Sequence, residues 1–547
     1  MMRITFVLSL VVFAVGGCSS APSLSLLYTC HSDDECGASQ ICFPEGCADP
    51  GVGIVVEVTG NNSTGLYEQD LAVDVGPTID LQIAGPLALV GQLQRERGAG
   101  IDPTNRSVYT EPVQIFAVGS SDLIPGLTRS YQATFDQTEN GVFSMPIASG
   151  TYRVTAQASN SSVPPITAFN VRAASGKPAS VDFAFPSVAG AVVLSGRLLK
   201  DRTGAPSVET SIETPMDLQA IDPISGHPLS QRALVSPTLG AKGDFILSLS
   251  PAVRALTSVW VVATPREATP PVPTKTFVVT TPLPSLTTLV LGDYGAPLKL
   301  TALVHDADQN PIANASVVVD GVVNGGGRYR SKVVTTDLAG RFSVDVLRNL
   351  TGVPFVITIA PPGGHRSSTW QPELDMAKPP SIFICSDRIS VKGVLTRADG
   401  SVAAGVRVHA SELTSSANGR SLALKDAETV TDGSGAYAMP LDLGNWRLDF
   451  IPGEDLPRFS RLVTVKPESD STGRPKTALV LSTLNLPKGR RVTGTVQNTG
   501  GREVEVMPNA SIRFFRVTQS DGQPTSVLLG STIADSKGRY SLTLPTR

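Results

Sequence analysis

Four cysteines near the N-terminus form the densest group of chemically active side chains in the sequence. They are Cys30, Cys36, Cys42 and Cys47, and turn-forming residues separate them. A segment this short cannot bury enough surface to fold unaided, so in an oxidising compartment we expect two disulfides, with three pairings open. Zinc, with His31 as a further ligand, is the alternative, but the spacing lacks the C-x2-C pair of a zinc knuckle.

The remaining side chains that could do chemistry are scattered. The sequence has no G-x-S-x-G elbow, no phosphate-binding P-loop and no H-E-x-x-H pair, and its 5 histidines share no ligand spacing. Asp306–Asn310 alternates oxygen ligands like the start of a calcium loop, but the glycine and the bidentate glutamate of such a loop are missing. Cys385 lies in an apolar stretch, which indicates a buried, unreactive thiol. We therefore predict no catalytic residue, no metal and no cofactor.

Carbohydrate binding would need exposed aromatic rings, because sugars stack their apolar faces on them. Trp370 lies in a Pro-rich segment and is the candidate glycan platform. Trp260 and Trp446 lie on predicted strands, where we expect them to be buried in cores.

The first residues have the pattern of an export signal. A basic start precedes the apolar run Ile4–Val15, which is too short to span a bilayer. The run ends in the sequence VGGC at Cys18 and resembles a bacterial lipobox. The resemblance implies that residues 1–17 are removed and that Cys18 is lipidated, whereas the alternative is an ordinary secretory signal. Ser19, in place of the Asp of many inner-membrane lipoproteins, implies an outer-membrane anchor on the periplasmic or cell-surface face.

Composition favours a string of β-domains. The 547 residues include 45 Lys+Arg and 48 Asp+Glu, so the net charge of −3 gives no electrostatic case for nucleic-acid binding. At this length we expect about three to five domains. Gly 50 and Pro 42, with only 5% aromatic residues, favour an all-β protein rich in turns over a typical enzyme.

One pattern recurs five times beyond residue 50, at a spacing of roughly 100 residues. Each copy opens with an apolar strand that in four copies contains a central glycine. Later in the copy a hairpin glycine lies two residues before an aromatic residue, as in a turn that needs a positive φ and a strand that turns its ring inward. The hairpin glycines are Gly141, Gly243, Gly340, Gly435 and Gly538.

The repeat motif is clearest in the last two copies. Asp432–Tyr437 and Asp535–Tyr540 share the form Asp-x-x-Gly-x-Tyr, and Gly444–Trp446 opens an alternating strand, as Gly150–Tyr152 does in the first copy. These motifs resemble carboxypeptidase-regulatory-like domains. The resemblance implies transthyretin-like β-sandwiches, related to the immunoglobulin-like class, that act as accessory or adhesive modules without catalysis.

The fold class expected is therefore a tandem array of about five β-sandwiches, behaving as beads with limited flexibility. Pro-rich stretches at Thr264–Pro284 and Pro361–Pro380 are interpreted as linkers or long loops. The predicted domains are a signal peptide (1–17), a lipidated Cys-rich segment (18–50) and modules at 51–186, 187–286, 287–380, 381–470 and 471–547.

Two expectations concern the ends of the array. Apolar runs at Ile54–Val58 and Ile79–Ile83 are expected to join the first module. The fifth module is expected to lack its last strand and to expose an edge that a partner's strand could bind, unless the gene is truncated or the module closes differently.

The function expected from the sequence is a non-catalytic spacer or scaffold of the cell envelope. Its partners would be the membrane, through the lipid, and an envelope protein of unknown identity, but no nucleic acid. The alternative is a surface protein that binds polysaccharide or peptidoglycan. An enzyme would need a group of residues assembled across several modules.

Overall fold

The computed structural model consists almost entirely of β-strands. Within the part of the chain that it describes, the one helix is a 3-10 turn at Pro251–Ala255, and no helix is long and apolar enough to cross a membrane. The described residues are 41–43, 46–48, 54–60, 66–71 and 77–545, the last range with gaps at 84–86, 97–105, 137–140, 161, 175–177, 188–190, 204–207, 238–242, 268–270, 350–351, 363–364, 414–425, 454, 467–476, 487, 500–503 and 521–522.

Five short strands precede the first repeat. The first two form an antiparallel hairpin, and the third and fourth form another antiparallel pair. Their bounds are β1 (Ile41–Phe43), β2 (Gly46–Ala48), β3 (Ile54–Thr59), β4 (Leu66–Leu71) and β5 (Leu81–Ile83).

The first four repeats each fold into a complete β-sandwich of two facing sheets. Sandwich 1 contains β6 (Leu87–Glu96), β7 (Arg106–Val108), β8 (Val113–Ser120), β9 (Thr128–Phe135), β10 (Val142–Ile147), β11 (Gly150–Ala158), β12 (Ile166–Ala173), β13 (Ala179–Ser180) and β14 (Phe183–Phe185). Sandwich 2 contains β15 (Val192–Thr203), β16 (Val208–Ser211), β17 (Met216–Ile221), β18 (Ala233–Val235), β19 (Asp244–Leu249), β20 (Ser258–Pro265), β21 (Lys275–Thr280) and β22 (Thr287–Val290).

Sandwiches 3 and 4 follow the same plan. Sandwich 3 contains β23 (Leu298–His305), β24 (Ser316–Val322), β25 (Arg328–Arg330), β26 (Val334–Thr335), β27 (Arg341–Val346), β28 (Phe355–Ala360), β29 (Glu373–Leu374) and β30 (Ile382–Ile384). Sandwich 4 contains β31 (Ile389–Thr396), β32 (Arg407–Glu412), β33 (Asp426–Val430), β34 (Ala436–Leu441), β35 (Gly444–Ile451), β36 (Phe459–Val465), β37 (Ala478–Val480) and β38 (Leu484–Asn485). The expected all-β array of sandwiches is confirmed.

The fifth sandwich is built from both ends of the described chain. The C-terminal segment supplies β39 (Gly489–Asn498), β40 (Glu505–Val506), β41 (Ser511–Ser520), β42 (Gln523–Ile533) and β43 (Arg539–Pro545). β3 pairs antiparallel with β41, and β5 pairs parallel with β39. The expectation that these N-terminal strands join the first module is therefore wrong. The expected open edge of the last module is also wrong, because β3 covers it.

The two signals of the sequence repeat turn out to be cross-strand partners. In every sandwich the central small residue of the first strand lies opposite the aromatic residue of the hairpin strand, so a small and a large side chain alternate across the sheet. The five hairpin glycines have φ values between 68° and 88°, as the turn requires. The pairs are Gly91 with Phe143, Gly196 with Phe245, Ala302 with Phe342, Gly393 with Tyr437 and Gly494 with Tyr540.

The closing aromatic residues of copies one and four are fixed in one common way. The Tyr152 hydroxyl donates a hydrogen bond to the carbonyl oxygen of Ala148 at 3.0 Å, and the Trp446 indole donates to that of Asp442 at 2.9 Å. Both rings are fully buried. The acceptor lies four residues back in each case, which anchors the start of the strand to the preceding turn.

Each of the first four sandwiches ends with a strand parallel to its own first strand, and this changes the predicted boundaries. β14, β22, β30 and β37 pair with the first strands of sandwiches 1, 2, 3 and 4, so they close the preceding repeat. Boundaries at 286, 380 and 470 therefore cut off closing strands. The Pro-rich stretches are not pure linkers either, since β21 and β29 lie within them as edge strands.

Two neighbouring sandwiches share one core, whereas sandwiches 1, 4 and 5 each have a core of their own. Buried apolar side chains of sandwiches 2 and 3 form a single cluster that extends across their junction through Leu291 and Tyr294. The core of sandwich 5 combines Ile54, Val56 and Val58 with residues of β39–β43. The N-terminal strands are thus an integral part of the last core.

Candidate functional site

The most distinctive arrangement of side chains lies where β3 pairs with β41 and β5 pairs with β39 to complete sandwich 5. We call this interface the closure surface. The carbonyl oxygen of Ile79 lies directly over Gly494, where a Cβ would be 1.8 Å from it. The same oxygen accepts a 2.8 Å hydrogen bond from the Tyr540 hydroxyl. One residue on, the Asp80 carboxylate accepts hydrogen bonds from the backbone N–H and the hydroxyl of Thr495, at 2.9 and 2.7 Å.

Sandwich 1 contains the same arrangement within one continuous segment. The carbonyl oxygen of Val181 lies 1.7 Å from a Cβ built on Gly91, and the Asp182 carboxylate accepts a 2.8 Å hydrogen bond from the Gln92 N–H. Residues 78–83 of the last sandwich therefore occupy the place of residues 180–185 in the first. The two segments read TIDLQI and SVDFAF, a shared pattern that could have assigned the N-terminal strand from the sequence.

A buried ion cluster fixes sandwich 1 against the closure surface. Glu57 of β3 is fully buried, and the Arg129 guanidinium of sandwich 1 donates to it at 2.6 Å. Arg513 of β41 also pairs with the Glu57 carboxylate. The three side chains come from three segments distant in sequence, so sequence spacing gave no sign of them. A buried carboxylate is tolerated only where cations and hydrogen bonds replace its lost hydration.

An apolar cluster lies beside this ion cluster, two residues along the β3–β41 ladder. Ile124 and Leu127, from the loop after β8, pack on Val55 and Phe515 of the outer face of sandwich 5. The Ser526 hydroxyl donates a 2.8 Å hydrogen bond to the carbonyl oxygen of Pro125 in the same loop. Sandwich 1 and sandwich 5 thus share a packed apolar interface that is flanked by a hydrogen bond and an ion pair.

Neighbouring sandwiches are also joined along the chain. At the 1–2 junction the Gln231 amide lies 2.7–2.8 Å from three carbonyl oxygens, those of Ala158, Asn160 and Val163. At the 2–3 junction Thr274 of sandwich 2 and Arg328 of β25 in sandwich 3 exchange backbone hydrogen bonds of 2.7 Å in both directions.

Sandwiches 3 and 4 meet through polar groups, and sandwiches 4 and 5 border a cleft. The Asp442 carboxylate accepts a 3.0 Å hydrogen bond from Arg388 and a 3.3 Å one from the backbone N–H of Thr369. The cleft has a volume of about 220 Å³, and Leu456 and Arg458 on one side face Leu542 on the other. With the 1–5 interface, these junctions make a closed circuit of five sandwiches.

His227 lies at the 1–2 junction with its ring edge-on to Phe169, at 5.0 Å between centroids. Its Nδ1 hydrogen-bonds to the Ser225 hydroxyl. Burial lowers the pKa of His227, and the nearby Arg153 lowers it further, although Asp222 acts in the opposite direction. The neutral imidazole is therefore the form that this junction favours.

Of the cysteines predicted to be lipidated or to form disulfides, the structure describes only the last two. Cys18, Cys30 and Cys36 lie outside the described residues. Cys42 and Cys47 are opposite each other on the backbone of the β1–β2 hairpin. The hairpin's second strand lies against β41 of sandwich 5.

Cys385 is fully buried, as expected. Burial, with a smaller contribution from Asp442, raises the pKa of its thiol to about 12. A thiol that stays protonated at neutral pH is a poor nucleophile.

The acidic stretch suggested for calcium is paired with an arginine from a later loop of the same sandwich. The Arg366 guanidinium donates to Asp306 at 2.8 Å and also pairs with Asp308. The first carboxylate also accepts backbone hydrogen bonds from its own turn, including a 2.8 Å bond from Asn310. Among the described residues, no group of three or more His, Cys, Asp or Glu side chains could hold a metal ion.

Trp446 is buried in the core of sandwich 4, as expected, but the other two tryptophans are placed differently. Trp370, the candidate glycan platform, is half-buried and packs edge-on against Phe383, at 6.0 Å between ring centroids. Trp260, expected in a core, is 36% exposed on the outer face of β20. Its cross-strand partner Val278 is 66% exposed, so the two form an apolar spot in the surface of sandwich 2.

No family model matches the sequence, and no curated protein matches it. Similar solved structures include a streptococcal ancillary pilin, with 12% identity over 53% of this chain and 98% of the pilin and a TM-score of 0.20. The Bacillus anthracis TIE protein has 11% identity over 70% of this chain and 69% of its own, with a TM-score of 0.15. The RrgB pilus protein of Streptococcus pneumoniae has 10% identity over 74% of this chain and 100% of its own, with a TM-score of 0.14. At these identities and TM-scores the likenesses bring neither a function nor a family to this chain.

Proposed function

We propose that this chain is a non-catalytic scaffold of the bacterial cell envelope, held to the outer membrane by a lipid on Cys18. The observation that carries the proposal is the completion of sandwich 5 by β3 and β5. Closure fixes five sandwich surfaces relative to one another. Such a body suits a platform that holds partners in place better than it suits an extended spacer.

The tether is consistent with this arrangement. Cys18 precedes β3 by a short segment, and the β1–β2 hairpin of that segment lies against β41. An anchored chain would therefore hold sandwich 5 nearest to the membrane and present sandwiches 2 and 3 farther away. The pairing of strand glycines with hairpin aromatics supports assignment of the repeats to the carboxypeptidase-regulatory-like domains.

The anchor is tested with full-length Cys18→Ala in a bacterial host fed radioactive palmitate. We expect the variant to carry no label and to leave the membrane fraction. Ser20→Ala, two residues away, is the matched control and should retain both label and membrane. Lipid label on Cys18→Ala would refute the anchor without affecting the scaffold proposal.

The scaffold role is tested separately by photo-crosslinking in cells from Ile224, which is 89% exposed on sandwich 2. We expect a discrete envelope protein to be captured. The same photoreactive group at fully buried Leu218 should capture none, and equal, diffuse labelling from both positions would contradict a scaffold.

Glycan binding is the second candidate, and exposed Trp260 is the observation that favours it. The full-length protein would be pulled down on purified sacculi and on native surface polysaccharide. Saturable binding that is lost in Trp260→Ala and kept in Trp370→Ala would establish this function. No binding at micromolar protein would exclude these two glycans.

A further inference from the structure

We propose that the closure surface is also a self-association site, at which β3–β5 and sandwich 1 of one copy bind β39–β43 of a second copy. The first set of elements is called the front segment (residues 54–185), and the second the back segment (residues 489–545). The partner is thus a second copy of this chain, and self-association needs no lipid anchor.

The interactions across the closure surface all join the front segment to the back segment. They comprise the β3–β41 and β5–β39 ladders, the Tyr540 hydrogen bond to Ile79 and the Glu57–Arg513 ion pair. The packing of Ile124 on Phe515 belongs to the same interface. A front segment from another copy offers the same groups in the same geometry, so each interaction can form between chains as well as within one.

Two described parts of the front segment, β3 and sandwich 1, are bonded to each other. Arg129 of sandwich 1 binds Glu57 of β3, so this buried ion pair joins two parts of the front segment and remains intact whichever chain supplies the back segment. Exchange therefore leaves the carboxylate with both of its cations. A front segment that carried its buried glutamate alone into a new interface would incur a large desolvation cost.

The junctions between sandwiches decide whether the chain closes on itself or exchanges its front segment with another copy. Sandwiches 2 and 3 share one core and form a stiff unit. The 1–2 junction depends on the Gln231 amide and the His227 ring, and the 4–5 junction borders a cleft. Exchange requires the chain to bend at these two junctions once the closure surface has separated, so that the front segment can reach the back segment of another copy.

The association is head to tail, because the two surfaces are different. An interface of this kind closes into a ring or continues as a filament. Within one chain, sandwiches 2–4 link the two surfaces and keep them close together, so the closed monomer is expected to dominate dilute solutions. Exchange between copies should therefore increase with protein concentration.

Register partners Thr59 and Ser511 provide the test. Directly opposed strand residues lie within the Cα–Cα range that a disulfide spans. Full-length Thr59→Cys and full-length Ser511→Cys are mixed in equal amounts, refolded under oxidising conditions at micromolar to about millimolar protein, and analysed by mass spectrometry of linked peptides. We expect a 59–511 link between chains, with a yield that rises at least tenfold over this range.

A chain that carries both cysteines is the positive control and should form the link internally in dilute solution. A mixture of Thr59→Cys with Ile224→Cys, which places the second thiol on an exposed loop of sandwich 2, should give no specific link. Internal linkage in the double variant without any link between chains at millimolar protein would overturn the proposal. Failure of the double variant to link at all would overturn the register on which it depends.

Discussion

The backbone of Ile79 fills the space above Gly494, more than four hundred residues later in the chain, as closely as that of Val181 fills the space above Gly91. Each glycine admits a carbonyl oxygen of the strand that closes its sandwich. In sandwich 1 that strand follows in sequence, and in sandwich 5 it comes from the N-terminal side of the array. The last sandwich therefore depends on residues that precede the first.

Gly494→Val should loosen the closure, because any Cβ at this position collides with the Ile79 carbonyl oxygen. We expect a loss of about 1–3 kcal/mol of stability, the usual cost of overpacking. Hydrogen exchange should be faster at residues 78–83 and 54–59 than in the parent. Gly433→Ala is the matched control, since nothing lies within 4 Å of a Cβ there. Unchanged protection at residues 78–83 would refute the role of Gly494.

Glu57→Gln should destabilise the 1–5 interface strongly. The variant keeps the shape of the side chain but removes the negative charge that pairs with Arg129, and breaking a buried pair costs about 3–5 kcal/mol. Chemical denaturation monitored at both sandwiches would measure the loss. Asp244→Asn, which breaks an exposed pair with Arg197, should cost less than about 1 kcal/mol. Equal losses of stability from the two substitutions would contradict a stabilising role for the buried Glu57 ion cluster.

Acidification should weaken the 1–2 junction through His227. Its pKa in the folded chain lies below the ordinary value of 6.5, because burial disfavours the imidazolium. A group with a lowered pKa binds fewer protons when folded, so its contribution to stability is present above pH 6.5 and declines as the pH falls below it. Thermal unfolding at pH 7.5 and pH 5.5 measures the decline. His227→Gln should reduce it, and an identical pH dependence in parent and variant would exclude His227 as its source.

Arg366→Ala should make sandwich 3 more sensitive to acid. Burial raises the pKa of Asp306, but hydrogen bonds from Asn310 and Arg366 outweigh it and bring the pKa to about 2. A lowered carboxyl pKa contributes stability that is present above 3.8 and is lost as the pH falls towards 2. Without Arg366 part of that contribution disappears, so the acid-unfolding midpoint should move to higher pH. Exposed Arg341→Ala in the same sandwich is the control, and an equal shift in both would point to net charge alone.

Much of the fold was predictable because it is encoded locally. Gly435, with its positive φ, and the inward ring of Tyr437 lie two residues apart, so the sequence alone marks the turn, the strand that follows and the repeat. The same holds for the closing aromatics Tyr152 and Trp446, whose hydrogen bonds reach back only four residues. The exposed position of Trp260 could not be read from its strand, because both faces of β20 carry apolar residues.

The sequence by itself determined the number of repeats, the turns and the strands, since each follows from the conformational preferences of a few adjacent residues. Only the tertiary structure decided which strand closes the fifth sandwich and which cations bind Glu57. Backbone ladders are nearly indifferent to side-chain identity, so β3 carries no local mark of its partner, and the TIDLQI pattern around β5 marks a closing strand without showing which sandwich it closes. The folded chain brings sandwich 5 next to the N-terminal strands, and the sheets of that sandwich have uncovered edges and an incomplete core. These edges and this core decide where β3 and β5 bind.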